Sequence, residues 1–166
     1  TDRVAFLTNS KFETIWQQLT TIIAREKVKV ITVISPFYDR KGKAIRAIQG
    51  LFQGCRVNII IDERGSIPAE MAATPNSYFY DWYTLGVSKS LHVKSATQHT
   101  KSKLHAKIIH FSTSSAKEFC LFGSANVTPE GLGLPGFNYN AEVSLLLESK
   151  QGGILERLGI KLNKPI

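Results

Sequence analysis

"VKVITVISPFYDRKGKAIRAIQGLFQGCRVNIIID", residues 28–62, holds a strand, a helix and a strand in succession. The run 28–34 is rich in β-branched residues, which crowd a helical turn but suit a pleated sheet, and it stops at Ser35-Pro36. Ala44, Ile45, Ile48, Leu51 and Phe52 then recur at helical spacing, and a second apolar run fills 55–62. A near-continuous apolar run such as 28–34 marks a strand covered on both faces, and 55–62 reads as a second strand. Two such strands joined by a helix pair in parallel through a crossover. The predicted fold class is therefore α/β, with a central mixed β-sheet flanked by helices on both faces.

Working outward, Ser10-Lys11-Phe12-Glu13 has the form of a capping box, and Phe12, Ile15, Trp16, Leu19 and Ile23 follow at helical spacing. This predicts a helix from about 11 to 26. After a polar stretch, 63–76, the aromatic group Tyr78, Phe79, Tyr80, Trp82 and Tyr83 is expected to form a short helix serving as core or lid. Short strands are expected near 87–93, 104–111, 118–122 and 140–147, with a closing helix over 152–160. A chain of 166 residues that is 43% hydrophobic, without low complexity or an evident linker, reads as one domain, 1–166.

The formal charge of +8 favours a polyanionic partner, nucleic acid before an anionic membrane surface, against the plain alternative of a basic soluble protein. From Trp82 to Lys117 there is no Asp or Glu, yet six lysines and all four histidines lie there. Basic residues around an apolar strand favour a positive cleft. Cys55 and Cys120, the two cysteines, sit among apolar residues and read as reduced core residues of a cytoplasmic protein. No apolar run is long enough to span a membrane and no signal peptide opens the chain. The start at Thr1 suggests a piece of a longer polypeptide.

Within that basic stretch, "KLHAKIIHF" (103–111) reads as a buried strand, yet it carries His105 and Lys107. A buried lysine without a partner costs several kcal/mol, so this strand end must open on a polar cleft or bind something negative. Downstream, "LFGSANVTPEGL" (121–132) turns at Gly123 and presents Ser124 and Asn126, and Thr128-Pro129 then starts a short helix. Lys107, Asn126 and Ser124 suit phosphoryl oxygens, and His105 is then free to attack phosphorus. Glu142 of "NAEV" (140–143) suits the Nδ1 proton of His105, leaving Nε2 as the nucleophile.

This arrangement resembles the phospholipase D superfamily, whose motif is H-x-K followed by a G-S-x-N turn. His105-Ala106-Lys107 and Gly123-Ser124-Ala125-Asn126 match it, over a stretch running from about 104 to the Glu142 strand. With "NAEV" it looks most like the nuclease and restriction-endonuclease branch. One departure is Ser112, where the superfamily usually has an aspartate five residues after the lysine. That change weighs against the lipid-hydrolysing branch more than against catalysis.

Other features have plainer readings. His99-Thr100-Lys101 repeats H-x-K without its own G-S-x-N and reads as a loop at the cleft rim. His110 falls on the opposite strand face from His105, as a core histidine, and His92 reads as an ordinary strand residue. Glu148-Ser149-Lys150, Asp62 and Glu63 lack companions at metal-ligand spacing. Ser35-Pro36-Phe37 stands where the family places a strand end near its site, and terminates a strand equally well.

The resemblance implies a phosphodiesterase acting on nucleic acid, DNA ahead of RNA, through a covalent phosphohistidine, with neither metal nor cofactor. Its expected site is His105, Lys107, Ser124, Asn126 and Glu142, with Lys94, Lys101, Lys103 and His99 as nucleic-acid contacts. Phe137 and Tyr139 are candidates to stack on bases, packing being the equal alternative. The alternatives are a non-catalytic nucleic-acid-binding module and a phospholipid-acting member. Restriction or phage defence is the setting such nucleases suggest. One motif set makes half a site, so a homodimer or a second domain of the same kind must complete it.

Overall fold

A computed structural model describes residues 2–61, 69–82 and 104–166. Their elements run β1 (Arg3–Thr8), α1 (Ile15–Ile23), β2 (Val28–Ile34), α2 (Lys43–Gly50), β3 (Arg56–Ile61), α3 (Ala69–Ala72) and β4 (Ser77–Asp81). They continue with β5 (Ile108–Thr113), β6 (Glu118–Gly123), α4 (Pro129–Leu132), β7 (Val143–Ser149) and α5 (Ile154–Arg157). One mixed sheet of order β1-β7-β6-β5-β2-β3-β4 results. As the opening stretch predicts, β2 and β3 pair in parallel across α2, with Ile34 opposite Ile60. β4 adds a parallel strand on one side, while β5, β6, β7 and β1 are antiparallel.

Alternation within the strands divides the core. Ile31, Val33, Val57 and Ile59 face a large cluster that takes in Ile15, Leu19 and Ile23 of α1, Ile45 and Ile48 of α2 and Leu132 of α4. Ile34 and Ile60, one residue along, face a smaller cluster with Tyr80, Leu104 and Ile160, against which Leu155 of α5 packs. Helices therefore cover both faces. The two cysteines are free and buried, and burial pushes both thiols up, that of Cys120 to about 12.

Several expectations are corrected. α1 starts at Ile15: its cap is Thr14, whose hydroxyl accepts from the Gln17 amide while the Gln17 side chain accepts from the Thr14 amide. Ser10 instead closes a tight turn, accepting from the Phe12 and Glu13 amides, which leaves Phe12 exposed. The aromatic cluster is mainly strand β4, because an edge position beside β3 offers its alternate residues a half-buried surface that a helix would not. β5 begins only at Ile108, and the closing helix is a single turn, ended by Gly159 at φ 71°. The sequence pattern does not announce β1, since with one buried residue its alternation is weak. The strand expected at 87–93 lies outside the described residues.

Candidate active site

Strand register places the motif residues at one edge of the sheet. Ile34 at the end of β2 faces Ile108 at the start of β5, so residues 104–107 lie beside the segment leaving β2. Ile108 faces Phe122, Gly123 faces Ser144, and Val143 faces Thr8. Hence His105 and Lys107, the turn after β6, Glu142 and the end of β1 all share that edge. Four adjacent strands deliver them.

Leu104 anchors the H-x-K segment in the smaller core cluster, while His105 is exposed and Lys107 half-buried. The segment is not a strand, and the Lys107 ammonium donates to the His105 carbonyl at 3.3 Å. Among the described residues no carboxylate pairs with the Lys107 ammonium. After β6, the Ser124 amide donates to the Val143 carbonyl at 2.9 Å, and the Val143 amide donates to the Ser124 hydroxyl at 3.0 Å. This approach requires Gly123: a Cβ there would stand 2.4 Å from the Val143 oxygen. The Ser124 hydroxyl also donates to Glu142. Among the described residues Glu142 bonds to Ser124 and Asn140, and the contact expected with His105 is not made.

Asn126 follows one residue after buried Ala125, and its side-chain oxygen is buried without a partner among the described residues. Gly131 backs it closely, since a Cβ there would meet the Asn126 carbonyl at 2.4 Å. α4 is capped as expected, Thr128 accepting from the Gly131 amide and Pro129 filling the first helical position.

Two supporting residues escaped sequence reasoning. Asn9, just past β1, donates to the Gly131 carbonyl at 2.9 Å and the Asn140 carbonyl at 3.0 Å, and accepts from the Ile15 amide at 2.8 Å. Its amide donates to the Glu142 carbonyl at 3.1 Å. One asparagine thus ties α4, α1 and the Glu142 segment together, and no local pattern could announce it. Tyr38 is the other: its hydroxyl donates to the Ile60 carbonyl at 2.7 Å, and burial pushes its pKa up. Its backbone bridges Val127, whose amide donates to Ser35 at 3.4 Å, so the Ser35-Pro36-Phe37 segment buttresses the Asn126 turn.

Phe137 packs against the main core with the Lys43 ammonium 4.8 Å from its ring centre, and the Tyr139 hydroxyl donates to the Ser10 carbonyl at 2.9 Å. Lys94, His99, Lys101 and Lys103, like Asp62, Glu63 and His92, lie outside the described residues. His110 is buried and meets Glu118 at 3.0 Å, away from the site.

One strand edge of an α/β sheet thus gathers His105, Lys107, Ser124 and Asn126, in the order of the H-x-K and G-S-x-N motifs. The family model described as "Cardiolipin synthase, PLD-like domain" matches residues 19–158, and the chain belongs to the phospholipase D superfamily. No curated protein is matched by the sequence. Among solved structures, NucT from Helicobacter pylori is 17% identical, with a TM-score of 0.55 over 95% of this chain and 91% of NucT. Yeast tyrosyl-DNA phosphodiesterase is 16% identical, with a TM-score of 0.52 over 87% of this chain but only 31% of the enzyme. At these identities the likeness is one of fold.

Proposed function

We propose that the chain is a metal-independent nuclease that cleaves phosphodiesters through a covalent phosphohistidine. The observation that carries this reading is the register of β5, β6 and β7, which sets His105-Lys107, Ser124-Asn126 and Glu142 side by side. A tyrosyl-DNA phosphodiesterase of the same fold, and the charge of +8, support nucleic acid as substrate.

In this reaction Nε2 of His105 attacks phosphorus and forms the P–N bond as the P–O bond to the leaving strand breaks. Lys107, Asn126 and Ser124 hold the non-bridging oxygens as charge builds on them. Glu142 orients His105 through Nδ1, which requires its carboxylate to turn from Ser124 once phosphate occupies the hydroxyl. A second histidine protonates the leaving oxygen, then takes a proton from the water that breaks the P–N bond. A symmetric homodimer provides it as the second copy's His105.

Lysine charge here takes the place that divalent ions hold in two-metal nucleases. Cleavage of single- and double-stranded DNA and RNA should therefore persist in excess EDTA and vanish in His105→Ala. Activity that chelator removes and Mg²⁺ restores would overturn the mechanism. The matched family description favours one other reading, a phospholipid-acting enzyme. Turnover of anionic phospholipid vesicles with inert oligonucleotides would select it.

A further inference from the structure

The segment between β2 and α2, residues 35–42, is tied down at both ends. At its start the Ser35 hydroxyl donates to the Phe37 carbonyl at 2.8 Å and accepts from the Val127 amide, while Tyr38 bonds to the Ile60 carbonyl. At its end the Asp39 carboxylate accepts from the Lys43 amide at 2.7 Å and the Ala44 amide at 3.1 Å, which satisfies the first turn of α2. Asp39 thereby spends its charge on the helix. What the segment leaves outward is Phe37, 64% exposed, followed by exposed Arg40, Lys41 and Lys43.

An aromatic ring in water gains little from its position unless something covers it. This ring is presented by a hydrogen-bonded turn, on the strand edge that carries His105, next to the turn that carries Asn126. Two exposed cations, Arg40 and Lys41, follow within four residues of it, while the Lys43 ammonium lies over the Phe137 ring. A flat apolar surface with cations spaced along the backbone beside it matches a nucleotide whose base is unpaired: the base stacks and neighbouring phosphates meet the cations. A base inside a duplex has no free face to offer. A membrane surface fits less well, because the neighbours of Phe37 are engaged: Pro36 is half-buried and Tyr38 is bonded inward.

We infer that Phe37 is a stacking platform for an unpaired base of the substrate strand, with Arg40 and Lys41 holding the adjoining phosphates. The inference rests on the nuclease reading above and narrows its substrate to single-stranded or locally opened nucleic acid.

The test uses the whole chain with His105→Ala as a non-cleaving background and measures anisotropy of a fluorescent single-stranded oligonucleotide and its duplex. Phe37→Ala should weaken single-strand binding roughly tenfold and leave duplex binding unchanged, and Phe37→Trp should restore it. Arg40→Gln with Lys41→Gln should flatten the salt dependence by about 0.7 in slope for each phosphate no longer neutralised. Phe37→Ala binding the single strand as tightly as the background, or losing both forms equally, would overturn the proposal. So would conversion of a dimer to a monomer by Phe37→Ala in light scattering, which would make Phe37 a subunit contact. Loss of binding to anionic phospholipid vesicles with oligonucleotide binding intact would overturn it in favour of a membrane. If His105→Ala still cleaves, the phosphohistidine falls while the stacking result stands. If cleavage depends on His105 and Phe37→Ala binds normally, only the stacking surface falls.

Discussion

Gly123 and Asn9 hold the backbone segments that carry the proposed catalytic residues Ser124 and Glu142. A methyl group on Gly123 would stand 2.4 Å from the Val143 oxygen and 2.6 Å from the Ser144 Cα, both backbone atoms that cannot yield without breaking the β6–β7 pairing. Gly123→Ala should therefore separate Ser124 from Glu142, cost about 1–3 kcal/mol as an overpacked position, and lower turnover in the surviving fold. Thermal unfolding with a cleavage assay checks both parts, and wild-type turnover in the variant would refute the positioning role. Asn9→Ala removes two donors and an acceptor from α4, the Asn140 segment and α1. It should cost about 1–3 kcal/mol, because the carbonyls it serves lose their partners. At this scale the sequence is legible where chemistry is local. H-x-K and G-S-x-N show their residue types and spacing, whereas Asn9 acts across more than 120 positions and leaves no local pattern. The Glu142 partner cannot be read either, since spacing brings Glu142 to the edge without saying which neighbour its carboxylate meets.

Elements are legible where burial is two-sided and obscure where it is not. β2 and β3 stand between two clusters and read as largely apolar, β-branched runs. β1 and β4 lie on the outer edges, half-exposed, and there tertiary pairing overrides local pattern. α5 is a single turn that no propensity would sustain, and Glu118 accounts for it. Its carboxylate accepts from the Ile154 amide at 2.8 Å and meets His110 at 3.0 Å. Burial pushes the Glu118 carboxyl up, but the Ile154 amide, His110 and the Gly153 amide outweigh that and hold it below the ordinary carboxylate value. A carboxyl lowered by folding stabilises above its unfolded pKa and loses that contribution as pH falls through its folded pKa. Wild-type stability should thus fall on acidification below the usual glutamate range, and Glu118→Gln should remove part of that dependence while destabilising at neutral pH by about 1–3 kcal/mol. Denaturant titrations at several pH values measure it, and an unchanged acid limb in Glu118→Gln would assign the loss to other carboxylates.

For the whole molecule, the proposed two-histidine reaction and a single motif set are reconciled by a second half-site. His99 is six residues from His105, too near in the chain to belong to a facing set with its own asparagine and glutamate. The sheet face beyond β6 carries a feature that suits a second copy. Val4 and Phe6 on β1 are each 64% exposed, and Phe6 pairs with Leu145, which pairs with Phe122, also exposed. Val143, one residue from Glu142, is exposed on the same face. A contiguous apolar row ending at the edge that carries His105 is what a subunit contact bringing two such edges together requires. The chain is therefore expected to sediment as a dimer that cleaves nucleic acid. Phe6→Glu should shift it to monomer and abolish cleavage while leaving the fold intact by circular dichroism, because Phe6 lies outside the core. A wild-type monomer without activity would move the second half-site to another domain of a longer chain. A monomer that cleaves at the wild-type rate would refute the two-histidine mechanism itself and return attention to His99.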